Sequence, residues 1–318
     1  MTRTIPRDRR AEVPTNDPVL KRDRVTVFLN ASAGTASSQP HLAGELEALF
    51  RAAGCHAIIK VLREGEDVNR VARDASAHAS IVVAGGGDGT VSGVAGGLVG
   101  SRAALGVLPL GTLNHFAKDL DIPLNLREAV AVIAAGRRTC VDVGEVNDRV
   151  FVNNSSIGVY PDIVQERDML RRQGYAKWSA MGLAMLRVLR RDHGMTVRME
   201  MNGRQTNWQT PFVFIGNNEY VIDGMQLGGR KRIDQGSLFV YLAPRARGRD
   251  LPARFAQALV SRTKRSDAFE MVASQDLAIH TRTTGTIRVA VDGEVVKLST
   301  PLRYRTRQGA LQVLVPRQ

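Results

Sequence analysis

The stretch that most constrains this chain is Ser80 to Val94, SIVVAGGGDGTVSGV. An apolar run, Ile81 to Val83, stops at Gly85, Gly86 and Gly87. Asp88, Gly89 and Thr90 follow, and then a run that can be helical. The pattern predicts a strand, a tight turn and a helix start. With no Cβ atoms in the turn, its backbone N–H groups can approach an oxyanion closely. Thr90 is the expected cap, and the positive end of the following helix favours a phosphate. Asp88 makes sense beside a phosphate if a magnesium ion or its waters lie between them. No Lys-Ser/Thr pair follows the glycines, so this is not a Walker A loop, nor is it a GxGxxG fingerprint. Alone, the stretch reads equally well as a glycine-rich turn that binds nothing.

The surrounding pattern gives that turn a setting. Strands are expected at Val25 to Asn30, His56 to Leu62 and Leu105 to Leu108, and helices at Leu42 to Ala53, Asp67 to His78, Val91 to Leu98 and Arg127 to Ala135. Strands alternating with helices predict a parallel, doubly wound sheet whose ligands sit beyond the carboxyl ends of its strands. The Asn30 loop, the Gly85 turn and the Pro109 loop all fall at those ends. Near Thr139 the chain becomes β-like, with hairpin-length separations. The expected organisation is a tail over 1–23, an α/β domain over 24–138 and a β-rich, sandwich-like domain over 139–318.

Several motifs lie along this frame. GGGDGT resembles the GGDGT signature shared by NAD kinases and the diacylglycerol kinase catalytic-domain family. PLGTLNHFAKDL, from Pro109, resembles that second family's P-x-G-T-x-N-D-F-A-x-x-L, with His115 where aspartate is usual. VDVG, Val141 to Gly144, matches its V-D-x-G, and FVNNSSIGVY resembles the strand that follows, with Ser156 replacing a glycine. VAVDGEVV, Val289 to Val296, carries the family's D-G-E triplet, although Asp-Gly between apolar residues is also a plain hairpin signal. In GGRKRIDQGSLFVYL, Asp234 and Gly236 match, but Gln235 stands where a second metal-holding aspartate is usual. In the first loop Asn30 and Gly34 match, and Ala31 replaces proline.

The resemblance implies an ATP-dependent lipid kinase that acts on a lipid hydroxyl, such as that of diacylglycerol. It implies ATP over Gly85, Gly86, Gly87, Asp88, Gly89 and Thr90, with Asn30, Gly34, Thr112 and Asn114 around the nucleotide or substrate oxygens. It also implies magnesium (Mg2+) at Asp88 and Asp142, directly or through water, and Glu294 as catalytic base. Asn114 has a simpler reading as a helix cap. An NAD kinase-like enzyme and a non-catalytic nucleotide sensor remain the alternatives.

Composition bounds the setting. The 318 residues are 43% hydrophobic, enough for a real core across two domains. Cys55 and Cys140 form no disulfide framework or zinc pattern and are expected to pack as small apolar residues. The N-terminus has arginines without an apolar stretch behind them, and no window reaches the length of a membrane span. Cytoplasmic location is expected. The net charge is +13, and Arg230 to Arg265 holds ten Lys/Arg against Asp234 and Asp250. That excess suits peripheral contact with the anionic inner face of a membrane, where the lipid substrate lies, or simply a solvated surface. No nucleic-acid module is present. Met169 to Arg191 reads as a helical pair over the sheet or a membrane-seating segment. Oligomeric state is left open, a dimer being one option.

Overall fold

The computed structural model describes residues 24–30, 41–175, 179–180, 183–184, 187, 194–223, 226–230, 232–242, 270–282 and 285–317. The 1–23 tail, Ala31, Gly34 and most of the basic stretch after Arg230 lie outside the described residues.

The first half alternates as expected: β1 (Val25–Leu29), α1 (Leu42–Ala52), β2 (Ala57–Val61), α2 (Val68–Ser76), β3 (Ile81–Gly86), α3 (Asp88–Leu98) and β4 (Ala104–Pro109). Short α4 (His115–Asp119) and α5 (Leu126–Ala135) complete it. Strands β1 to β4 pair in parallel in the order β2-β1-β3-β4. The buried apolar runs of β1, β3 and β4, such as Ile81 to Ala84, are what a sheet covered on both faces requires, while β2 is a partly exposed edge strand. On α1, Leu42, Leu46 and Phe50 recur at helical spacing and are the residues that it buries.

The second half is mostly strand. It opens with β5 (Arg137–Val146), β6 (Arg149–Phe151), β7 (Asn154–Gly158) and α6 (Val159–Arg172). Next come β8 (Met195–Met201), β9 (Arg204–Thr210), β10 (Phe212–Asn217), β11 (Val221–Asp223), β12 (Gln226–Gly229) and β13 (Leu238–Leu242). The chain closes with β14 (Glu270–Ser274), β15 (Asp276–Thr281), β16 (Thr286–Val291), β17 (Glu294–Ser299) and β18 (Leu302–Val315). One sheet runs β14-β13-β10-β7-β16-β17. It faces β8, β15 and the start of β18 across a core that includes Phe151, Ile215, Val240, Ile279 and Tyr304.

The two halves are not separated cleanly at 138. The last strand, β18, returns to the first sheet, pairing in parallel with β4 at Val313↔Leu105 and antiparallel with β5. Leu311, Val313, Leu314 and Val315 thereby join the core of the first half. α6 begins at Val159, where the FVNNSSIGVY pattern predicts continued strand. Cys55 is buried as expected, whereas Cys140 is exposed.

Candidate active site at the interdomain crevice

The glycine turn sits between β3 and α3. The helix starts at Asp88 with Gly87 as its N-cap, three residues earlier than a Thr90 cap requires. Its first helical bond runs from Val91 N–H to the Gly87 carbonyl, so the N–H groups of Asp88, Gly89 and Thr90 precede the ladder. Such groups with the helix dipole behind them suit a phosphate. Thr90 is buried, and its Oγ1 accepts from Asn30 Nδ2 at 3.0 Å. Asn30 N–H also donates to the Gly85 carbonyl at 2.8 Å. These two residues therefore stitch the β1 loop to the turn. A Cβ on Gly86 would lie 2.5 Å from Thr90 Oγ1, so this fastening needs glycine there.

The Pro109 loop closes against the same turn. A Cβ on Gly111 would stand 2.4 Å from the Gly87 Cα, which is how near the two backbones come. Asn114 holds the loop in this shape. Its Oδ1 accepts the Gly111 N–H at 3.0 Å, and its Nδ2 donates to the Gly111 carbonyl at 2.8 Å. Its backbone is left-handed, φ 50°, and its side chain caps no helix. Thus Asn114 organises the loop that presents the exposed Thr112, rather than facing a ligand with a free amide.

The D-G-E turn arrives from the other half. Asp292 and Gly293 have φ 47° and 87°, the left-handed pair a two-residue hairpin demands, with Val291 and Glu294 paired across it. Glu294 is exposed, and its Oε1 would lie 2.9 Å from a Cβ on Gly89. The structure thus brings Gly89 and Glu294 together, and no described residue donates a hydrogen bond to the Glu294 carboxylate. A polar groove of about 780 Å³ opens here, with Gly89, Asp292, Glu294, Arg70 and Arg149 in its lining. A larger groove of about 1000 Å³, near Glu145 and Tyr304, contains none of the turn residues, so the smaller one is the candidate site.

The two metal candidates are placed differently. Asp88 Oδ1 accepts from Phe116 N–H at 3.3 Å, and its Oδ2 has no described partner. Asp142 is buried, with Oδ2 accepting the Gly236 N–H at 2.6 Å and Oδ1 the Gly309 N–H at 2.8 Å. Both of its oxygens therefore hold backbone of the second half, at the loop before β13 and at the irregularity within β18. Among the described residues no three His, Cys, Asp or Glu side chains gather as a metal cluster. Magnesium usually takes one or two carboxylates together with substrate phosphates. The donor set fits a magnesium ion carried on a nucleotide, with Asp88 as its protein carboxylate. Asp234 is exposed beside Arg232, and Gln235 Oε1 accepts the Glu219 N–H at 3.0 Å.

Sequence reasoning missed the residues that hold the crevice together. Arg230, counted in the basic stretch, has a fully buried side chain paired with Asp119 of α4 at 2.7 Å. It also donates to the carbonyls of Val152, at 2.7 Å, and Asn217, at 2.8 Å. Its guanidinium lies 5.4 Å from the centre of the Tyr220 ring, whose hydroxyl burial pushes up to about 12. Asp292 accepts N–H groups from Val152, Asn153 and Asn154 and the hydroxyl of Ser92. Burial drives the Asp292 pKa up, against these donors, which favour its charge. The D-G-E triplet marks Asp292 but not its partners, and an Arg in a basic run looks ordinary.

Comparison with known proteins places both halves of the chain. The model of the diacylglycerol kinase catalytic domain matches residues 24–146, and that of the "YegS C-terminal NAD kinase beta sandwich-like domain" matches 158–315. A "Probable lipid kinase YegS-like" of Pseudomonas aeruginosa is 30% identical over 233 residues, 71% of this chain and 74% of that one.

The chain belongs to the diacylglycerol kinase catalytic-domain family.

A relative of the same description in Klebsiella pneumoniae is 33% identical over 206 residues, 63% of this chain. The match spans 66% of that relative's length, and 62% of the one from Chromohalobacter salexigens. A solved diacylglycerol kinase structure from Bacillus anthracis superposes with TM-score 0.69 at 24% identity, over 92% of this chain and 97% of that one. That likeness establishes the family's fold.

Proposed function

We propose that the chain is a lipid kinase that transfers the γ-phosphate of ATP to a hydroxyl of a lipid such as diacylglycerol. The observation that carries this reading is Glu294 at Gly89: a carboxylate with no hydrogen-bond partner among the described residues, beside the first turn of the helix that would hold the phosphates.

Phosphoryl transfer needs positioning and charge neutralisation more than covalent chemistry. The Asp88, Gly89 and Thr90 N–H groups receive the phosphate oxygens. Asn30 fixes Thr90, and Asn114 fixes the Gly111 to Thr112 loop across from the turn. A magnesium ion, when bound, supplies positive charge to the phosphates beside Asp88. Glu294 accepts the proton of the lipid hydroxyl as its oxygen attacks phosphorus. The polar groove at Glu294 suits the acceptor's headgroup end, with the acyl chains lying outside it.

No helix among the described residues is long and apolar enough to cross a membrane. We place the chain in the cytoplasm, visiting the inner membrane face through its basic residues. Labelled ATP supplied with diacylglycerol, a total lipid extract or NAD tests the reading. Label in a lipid product supports it; label in NADP alone, or ATP binding without transfer to any acceptor, overturns it.

A further inference from the structure

Resting on that reading, we propose that Asp292 is a positioning residue, which with Ser92 registers the catalytic base Glu294 against the helix that holds the phosphates.

Helix α3 does two jobs on one face. Gly89 and Ser92 are three residues apart and so lie on the same side. Gly89 admits the Glu294 carboxylate, and a turn later Ser92 Oγ donates to Asp292 Oδ2 at 2.5 Å. Asp292 and Glu294 flank Gly293 in a two-residue turn, so fixing the first limits where the second can stand. The other three donors to Asp292 are the N–H groups of Val152, at 2.8 Å, Asn153, at 2.8 Å, and Asn154, at 2.9 Å. The Asp292 N–H returns a bond to the Asn154 carbonyl at 2.9 Å.

This is more than a hairpin needs. A hairpin turn is satisfied by its own ladder, yet here one carboxylate collects four donors from two other elements. The peptide Val152 to Asn154 is itself held from its carbonyl side by Arg230, which pairs with Asp119 of α4. The turn bearing Glu294 is thus fixed twice to the first half: directly through Ser92, and indirectly through the Val152 peptide, Arg230 and Asp119. Angular errors in a base are costly because its oxygen must meet the acceptor proton at hydrogen-bond distance. The device keeps that oxygen in register with the phosphate turn whenever the halves shift.

Ser92→Ala removes only the direct link and leaves Asp292 three N–H donors. Asp292→Asn places an NH₂ group against donors and disturbs the whole set. Transfer of label from ATP to dioleoylglycerol and to dioleoylphosphatidylglycerol in detergent micelles measures both variants beside Glu294→Gln. The expected result for Ser92→Ala is a kcat lowered about tenfold or more with the KM for ATP and the melting temperature within about twofold and a few degrees of wild type. Asp292→Asn should fall further, and Ser92→Ala should add little to it, since both break one linkage. A purely structural role would instead lower melting temperature and leave kcat intact well below it. If Glu294→Gln is inactive while Ser92→Ala and folded Asp292→Asn keep wild-type kcat, the positioning role is overturned and the kinase reading stands. If Asp292→Asn does not fold, a wild-type kcat for Ser92→Ala alone overturns it. If the wild-type chain labels no lipid, or Glu294→Gln equals it, the kinase reading fails and this inference with it.

Discussion

The carboxylate of Glu294 occupies the space above Gly89 that any larger residue would need for its side chain, 2.9 Å from that ideal Cβ. The obstruction is the far end of a flexible side chain, so Gly89→Ala should fold while displacing the base. We expect kcat to fall by about an order of magnitude or more, as small misplacements of a catalytic group do. Isothermal calorimetry should show ATP still bound, because the N–H groups of the turn remain. Full turnover in this variant would mean that the contact has no part in catalysis.

Gly87→Val separates the phosphate turn from the fold. A Cβ at Gly87 meets only the Gly111 Cα, at 3.4 Å, an ordinary contact. The protein should therefore stay folded, while a β-branched side chain crowds the phosphate side of the turn. Calorimetry should show ATP affinity lost by about a hundredfold or more, the scale of several lost charge-assisted hydrogen bonds. Undiminished affinity would place the nucleotide elsewhere.

How much of this was legible beforehand varies with the range of the interaction. The alternation of strand and helix over residues 24–135 is local, written in apolar runs and periodic stripes, and the elements fall within a few residues of expectation. The Gly85 to Thr90 turn and the D-G-E hairpin were also visible, and the fold brings them together. Two candidate side chains also have partners that no sequence pattern shows: Asn114 within its own loop, and Asp142 at the Gly236 and Gly309 N–H groups. The Ser92 to Asp292 bond spans 200 residues, and no pattern in either neighbourhood encodes the other. The return of β18 to the first sheet is likewise a matter of topology.

Arg230 gives a stability prediction. Its side chain is fully buried and meets Asp119, Asn153 and two carbonyls in a planar fork that a lysine ammonium cannot match. Arg230→Ala strands the Asp119 carboxylate and should destabilise by about 3–5 kcal/mol. Arg230→Lys should recover only part of that loss. Urea unfolding would measure both; a change under about 0.5 kcal/mol for Arg230→Ala would mean the pair is not a structural tie.

Membrane contact makes a separate prediction on residues outside those described. Reversing the charge at Arg245, Arg247 and Arg249 should weaken binding to anionic vesicles, since each basic residue near such a surface contributes about 1 kcal/mol. Wild-type binding should fall steeply with salt. Activity on a short-chain soluble lipid should be spared. Equal binding of wild type to neutral and anionic vesicles would remove electrostatic docking.

The most direct test of the account is Glu294→Gln. The substitution keeps the shape of the side chain above Gly89 and removes proton acceptance. Transfer of label from ATP to lipid should fall by about 10²–10⁴-fold, the usual scale for a general base, with ATP affinity unchanged. Near wild-type transfer by the folded variant would contradict the assignment and leave Glu294 a residue of the hairpin alone.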